Sequence, residues 1–135
     1  MKSITSAERS YFAGHFDGEG CLSIWGNKSH GFGVHARVQL CYKPTILYYQ
    51  EFFGGSVYKV KIKSEKHKQA WIWEVCGRTA VARFLIAIEP YGQEKVAQVS
   101  LTLNFLTIAL DRSPYPKEIL DIETQLKFLK KQEFN

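Results

Sequence analysis

The chain is poor in the residues that build metal cages, covalent staples and membrane spans. It has three cysteines among 135 residues, Cys21, Cys41 and Cys76, odd in number and far apart. There is no Cys-x-x-Cys pair, and His15, His30, His35 and His67 lack the spacing of zinc ligands. A disulfide framework and a structural zinc site are therefore excluded, and free thiols in a reducing compartment are expected. No apolar run approaches the roughly 18 residues of a membrane span, and the opening MKSITSAERSYF has no signal-peptide core. The expectation is a soluble intracellular protein, cytoplasmic or organellar. Charge of one sign does not dominate either: 18 Lys and Arg stand against 13 Asp and Glu, a formal charge of +5. That surplus favours a polyanionic partner without naming one.

What is present suits one packed domain over residues 1–135. Apolar residues make up 45% and aromatics 14%, enough to fill a core, and 23% charged residues argue against disorder. Thr5 and Glu8 form a capping box, each side chain satisfying an orphan backbone donor, so a helix is predicted over 6–16, ending at Gly18 and Gly20. Residues 21–26 are β-compatible and a Gly/Asn/Ser/His turn follows. In 34–42 the set Val34, Ala36, Val38 and Leu40 alternates with His35, Arg37, Gln39 and Cys41, the pattern of a half-buried strand. Pro44 opens a helix over 44–53, which Gly54 and Gly55 end. A second hairpin is predicted over 56–63 and 70–76. In it Lys59, Lys61 and Lys63 oppose Tyr58, Val60 and Ile62, while Trp71, Trp73 and Val75 share a core face. Helices are predicted over 79–89 and 93–110, and an amphipathic one over about 117–131 turns Ile119, Ile122, Leu126 and Leu129 inward.

The segment Phe12-Ala13-Gly14-His15-Phe16-Asp17-Gly18-Glu19-Gly20 is the most informative. Gly14 inside a helix costs roughly 1 kcal/mol relative to alanine. Ser10, Gly14 and Gly18 recur every four residues, with Ala7 and Ala13 beside them, a stripe of small residues that lets another backbone approach closely. The helix ends in two acids separated by one glycine, where a carbonyl and a carboxylate can jointly hold a hard cation. By itself an acid–Gly–acid–Gly string is only a solvated helix end.

The nine residues together resemble the LAGLIDADG homing-endonuclease family, matching its FAGFxDGEG-like variants everywhere but at His15. The resemblance covers about residues 5–110. It implies an α+β, αββαββα fold with a curved antiparallel sheet that straddles duplex DNA, the helix over about 117–131 being an addition at the C-terminus. One motif in the chain implies that a second copy comes from another subunit, through Ala7, Ser10, Ala13, Gly14, Asp17 and Gly18. A homodimer implies a near-palindromic target. Glu19 stands at the family's metal-binding carboxylate, with the Gly18 carbonyl as accessory ligand. The implied chemistry is Mg²⁺-dependent phosphodiester hydrolysis, with Mn²⁺ or Ca²⁺ able to substitute for binding. Asp17 suits a helix-terminus or interface hydrogen bond as well as a catalytic one. Pro90 to Gln98 resembles the segment bearing a pocket lysine, which makes Lys95 the candidate to stabilise phosphate charge. Tyr42, Lys43 and Pro44 depart from the family pattern, since a solvent-organising Gln is common where Tyr42 stands.

On such a sheet only every second residue reaches a base edge. The outward sets are expected to be Ser23, Trp25, Asn27 and Ser29; His35, Arg37 and Gln39; Lys59, Lys61 and Lys63; and Ile72 with Glu74. Arg37 suits guanine and Gln39 adenine, while the lysines suit phosphates. Lys127, Lys130 and Lys131 read as a solvated helix face. Sequence-specific cleavage of double-stranded DNA by an intron-encoded enzyme is the expectation. An RNA maturase and a catalytically inactive DNA-binding protein on the same fold are the alternatives.

Overall fold

The computed structural model describes residues 3–26 and 31–133. Its elements run α1 (Ser6–Glu19), β1 (Gly20–Gly26), β2 (Phe32–Leu40), α2 (Lys43–Phe53), β3 (Ser56–Lys59), β4 (Trp71–Cys76), α3 (Arg78–Ile88), a 3-10 turn (Glu89–Tyr91), α4 (Val96–Asp111) and α5 (Pro116–Glu133). The helix–hairpin rhythm expected from the sequence is thus observed. Among the described residues no helix is long and apolar enough to cross a membrane.

The four strands form one antiparallel sheet in the order β1-β2-β4-β3, so the two hairpins meet through β2 and β4. One sheet face carries Leu22, Ile24, Val34, Ala36, Val38, Trp73 and Val75, all buried. The helices cover that face. Aromatic rings tie them to it: Phe12 of α1 lies 4.7 Å from Tyr49 and 5.0 Å from Phe53 of α2. Phe84 of α3 lies 5.1 Å from Phe16, 4.8 Å from Phe53 and 5.0 Å from Trp73. Each such ring buries a large apolar area and keeps a preferred edge or offset geometry. The Trp73 indole is also anchored, its Nε1–H donating to the Gly54 carbonyl at 2.8 Å.

Local chemistry sets the element ends. The Thr5–Glu8 capping box is formed as expected, with Glu8 N–H on the Thr5 hydroxyl at 3.2 Å and Thr5 N–H on the Glu8 carboxylate at 2.9 Å. Gly54 and Gly55 adopt φ of 69° and 90°, a region that penalises a side chain. A Cβ at Gly55 would also lie 2.5 Å from the Glu74 carbonyl oxygen. This turn pins β3 against β4 in the register Ser56↔Glu74, Val57↔Trp73, Tyr58↔Ile72 and Lys59↔Trp71.

α5 lies over the free edge of β1. Ile119, Ile122 and Leu126 are buried at 5%, 5% and 2% exposure. The Gly26 N–H donates to the Glu123 carboxylate at 3.4 Å, and Lys130 Nζ donates to the Ser23 hydroxyl at 3.1 Å. An edge strand that would otherwise present unpaired backbone groups is thereby covered.

Candidate metal and nucleic-acid site

α1 delivers its acids to the place where helix gives way to sheet. Its hydrogen-bond ladder closes with the Gly20 N–H on the Phe16 carbonyl, leaving the carbonyls of Asp17 and Gly18 in the unpaired last turn. Lys95 Nζ takes the first of these, donating to the Asp17 carbonyl at 2.6 Å. Glu19 is exposed, and its carboxylate makes no hydrogen bond or ion pair among the described residues. The helix was expected over 6–16. It continues through Gly18 to Glu19 and passes directly into β1.

Asp17 turns the other way. Its carboxylate accepts the Gln93 N–H at 2.8 Å and the Lys95 N–H at 3.0 Å, so it caps the approach to α4. Lys95 is the residue just before α4 rather than a first-turn residue. It is therefore held against the end of α1 at both its backbone and its side chain. The structure thus ties Lys95 to Asp17 in the last turn of α1, the turn that also carries Gly18 and Glu19.

The expected α1 interface is corrected at Ala13, and Asp17 makes the helix-terminus hydrogen bonds that were one of its expected roles. Ala13 is 1% exposed and lies in the chain's own core, because it shares the inward face of α1 with Phe12 and Phe16. Asp17 is engaged by its own chain through the two contacts above. Ala7, Ser10, Gly14 and Gly18 are exposed, and nothing lies within 4 Å of a Cβ built at Gly14 or Gly18.

The sheet face opposite the core carries Ser23, Trp25, His35, Arg37, Gln39 and Glu74, as their register with one another requires. Trp25 lies flat across its neighbour: a Cβ at Gly33 would come 2.2 Å from the indole, and the His35 ring is 5.1 Å away. Beside them is Cys21, whose thiol falls to about 7. The His35 hydrogen bond is the main cause, against the opposing effect of burial, with help from Lys130 and Ser23.

Arg37 and Glu74 form an ion pair across β2 and β4. The Tyr58 hydroxyl donates to the same Glu74 oxygen and accepts from Arg37, each at 3.0 Å, and the Cys76 thiol donates to the other oxygen at 2.9 Å. Burial pushes the Glu74 carboxyl up, but the hydrogen bonds from Cys76, Arg37 and Tyr58 outweigh it and hold the group at about 2. Tyr58 and Cys76 are the site residues that sequence reasoning missed. Their positions flanking Glu74 on the same face follow once the strand register is known.

The remaining expectations for this face need correction. Tyr58 faces outward, so Lys59 falls on the core side, its ammonium 5.4 Å from the Trp71 ring centroid. β3 ends there, and Lys61 and Lys63 lie in the irregular segment 60–70 beside Gln39, not on a strand. Ile72 sits on the outer side but is only 7% exposed, flanked by Gln39 and Tyr58. Asn27 and Ser29 lie outside the described residues. Tyr42 is 67% exposed just before α2, and Lys43 places its ammonium 4.2 Å from the centre of the Trp71 ring.

One turn above Glu19, His15 Nδ1 is 2.8 Å from the Tyr49 hydroxyl. Burial lowers the imidazole from its ordinary 6.5, with the Glu19 charge acting in the opposite sense. Among the described residues no three His, Cys, Asp or Glu side chains gather into a metal cage. The candidate donors are instead the Glu19 carboxylate and the Gly18 carbonyl. That fits a hard cation such as Mg²⁺, which keeps waters and binds through one or two carboxylates plus substrate phosphate.

Comparison with solved structures defines the fold. Homing endonuclease I-CvuI, solved with its target and calcium, superposes with a TM-score of 0.70 over 92% of this chain and 82% of that one, at 18% identity. Archaeal intron-encoded I-Vdi141I, solved with DNA, gives 0.70 over 93% and 84%, at 12% identity. LAGLIDADG endonuclease I-GzeII, also solved with its DNA target, gives 0.64 over 94% of this chain but 44% of its own, at 14% identity. No family model and no curated protein matches the chain. The chain has the LAGLIDADG homing-endonuclease fold, α+β with a four-stranded antiparallel sheet. The matched region spans 82% and 84% of the I-CvuI and I-Vdi141I chains but only 44% of I-GzeII.

Proposed function

We propose that the chain is a metal-dependent endonuclease that cuts double-stranded DNA as a homodimer at a long near-palindromic site. The observation that carries this reading is an exposed Glu19 carboxylate beside the Gly18 carbonyl, neither with a hydrogen-bond partner among the described residues, on a fold whose solved examples include DNA complexes. Glu19 and Gly18 would hold Mg²⁺, whose chemistry is to lower the pKa of an attacking water and neutralise the leaving 3′ oxygen. Glu19 lies immediately before β1, two residues from the outward Cys21, so it adjoins the sheet face that would lie on the duplex. Lys95, anchored on the Asp17 carbonyl, supplies positive charge to the same neighbourhood and is placed to stabilise charge developing on phosphate. Gln39, and the Nη1 of Arg37 that Glu74 and Tyr58 leave unused, present donors for base edges, and Lys61 and Lys63 suit phosphates.

The second copy completes the enzyme. Two α1 helices packed through Ala7, Ser10, Gly14 and Gly18 would bring a pair of Glu19 carboxylates to the two-fold axis, one for each strand. Selection of cleavable sites from a randomised half-site library supplies the substrate. On that duplex, Glu19→Gln is expected to lose Mg²⁺-dependent cleavage while keeping DNA affinity, read by gel shift beside a cleavage assay. Cleavage at the unsubstituted rate would remove Glu19 from the metal site.

A further inference from the structure

His15 is the position at which the chain leaves the motif it otherwise follows, and its surroundings give that departure a use. It precedes Glu19 by one turn, the i to i+4 spacing that sets two side chains on one helix face. Tyr11, a further turn back, stacks on the imidazole with centroids 6.0 Å apart. From α2, the Tyr49 hydroxyl approaches Nδ1 to 2.8 Å. Tyr49 is fully buried at 0% exposure, so its hydroxyl hydrogen needs an acceptor, and His15 Nδ1 is the one it has among the described residues. That contact places the ring hydrogen on Nε2.

We propose that His15 is a positioning residue for Glu19: with Nδ1 occupied by Tyr49, its Nε2–H is the donor that steadies the Glu19 carboxylate for metal binding. The inference rests on Glu19 being the metal-binding carboxylate. The two side chains are not hydrogen-bonded as they stand. At this helical spacing Cβ atoms are about 6 Å apart, so a rotamer of the exposed Glu19 brings its carboxylate to the imidazole. Donors behind a ligating carboxylate fix its orientation, and their loss weakens metal binding. An apolar ring at position 15 fills the space and cannot donate.

The test uses the full chain, unsubstituted and as His15→Phe, His15→Gln, Tyr49→Phe and Glu19→Gln. Long-range ¹H–¹⁵N NMR of the free protein reads the tautomer, and calorimetry reads Ca²⁺ affinity of the complex with the selected duplex. The unsubstituted protein is expected to show the Nε2–H form, and Tyr49→Phe a mixture. His15→Phe is expected to weaken Ca²⁺ binding about tenfold or more, with melting temperature and DNA affinity kept. His15→Gln, which retains an N–H donor at the place of Nε2, should stay within about threefold of the parent. A dominant Nδ1–H tautomer overturns the proposal. If Glu19→Gln loses Ca²⁺ while His15→Phe binds it as the parent does, the positioning role falls and the metal ligand stands. If Glu19→Gln binds Ca²⁺ as tightly as the parent, the ligand assignment falls and this proposal with it.

Discussion

Asp17 and Glu19 are two residues apart on a helix, about 200° around its axis, so chemically similar acids meet opposite environments. One faces its own chain and the other faces outward. The Asp17 carboxylate satisfies two backbone donors, Gln93 N–H and Lys95 N–H, that precede α4. Asp17→Ala leaves both without that acceptor and is expected to cost about 1–2 kcal/mol, the range for a lost helix cap, seen as a lower urea midpoint. Asp17→Asn, which keeps an acceptor oxygen, should recover most of it. Glu74 gives a prediction in pH. Its carboxyl sits at about 2 in the fold, below its ordinary 4.5, because the donors around it outweigh its burial. The unfolded chain therefore binds the proton more readily, and the stability contributed by the Arg37–Glu74–Tyr58 network is full above about pH 4.5. It fades as pH falls towards 2. Urea melts of the parent and Glu74→Gln should differ most near neutrality and converge across that window. A gap independent of pH would remove the network from the stability of the fold.

At the scale of elements, what was legible in the sequence follows from how many constraints each segment carries. β2 is covered on one face only, so its alternation states its orientation, and Val34, Ala36 and Val38 are inside as read. β3 has four residues, with Val57 inward and Tyr58 outward. Its apolar content pointed to the wrong face because a tyrosine can serve as either a core ring or a surface hydroxyl, and here the hydroxyl bonds Arg37 and Glu74. The Gly54–Gly55 turn sets that register, and a shift of one residue reverses every side chain. Ala13 was misplaced for a related reason, since a small residue suits a helix interface and a tight core equally. The candidate acids were singled out by the resemblance of the whole nine-residue segment, since the acid–Gly–acid–Gly string alone reads as a solvated helix end. The Asp17–Lys95 link was not legible, since it joins residues 78 apart in sequence. The periodicity of α5 placed Ile119, Ile122 and Leu126 correctly, while Leu129 is only half-buried and Lys130, read as solvated, bonds Ser23; the contribution of α5 can be measured. Leu126 is 2% exposed where α5 covers β1. Leu126→Ala is expected to cost about 2–5 kcal/mol by lost transfer energy and the cavity left behind. A thermal melt shifted by less than a surface substitution shifts it would show that α5 does not hold the edge strand.

At the scale of the whole molecule, Gly14 and Gly18 meet nothing among the described residues that requires a glycine. Gly14 is exposed in mid-helix with ordinary helical backbone and open space where a Cβ would be, and the same holds at Gly18 near the helix end. In a lone protomer each would be a net loss of about 1 kcal/mol against alanine. In the proposed dimer the offsetting benefit would come from the close approach of a second α1, because backbones can pack only where side chains are small. The two roles separate under substitution. Gly14→Ala and Gly14→Leu should each leave the fold intact, by circular dichroism, and raise the helix propensity of α1. Gly14→Leu should nevertheless abolish dimerisation, since its side chain occupies the space the partner helix needs. Light scattering at micromolar concentration is expected to give a dimer for the parent and a monomer for Gly14→Leu. The monomer should also lose double-strand cleavage, having one Glu19 for two strands. A Gly14→Leu chain that still scatters as a dimer would place the contact between copies on some other face, and the paired carboxylates would then have no axis on which to meet.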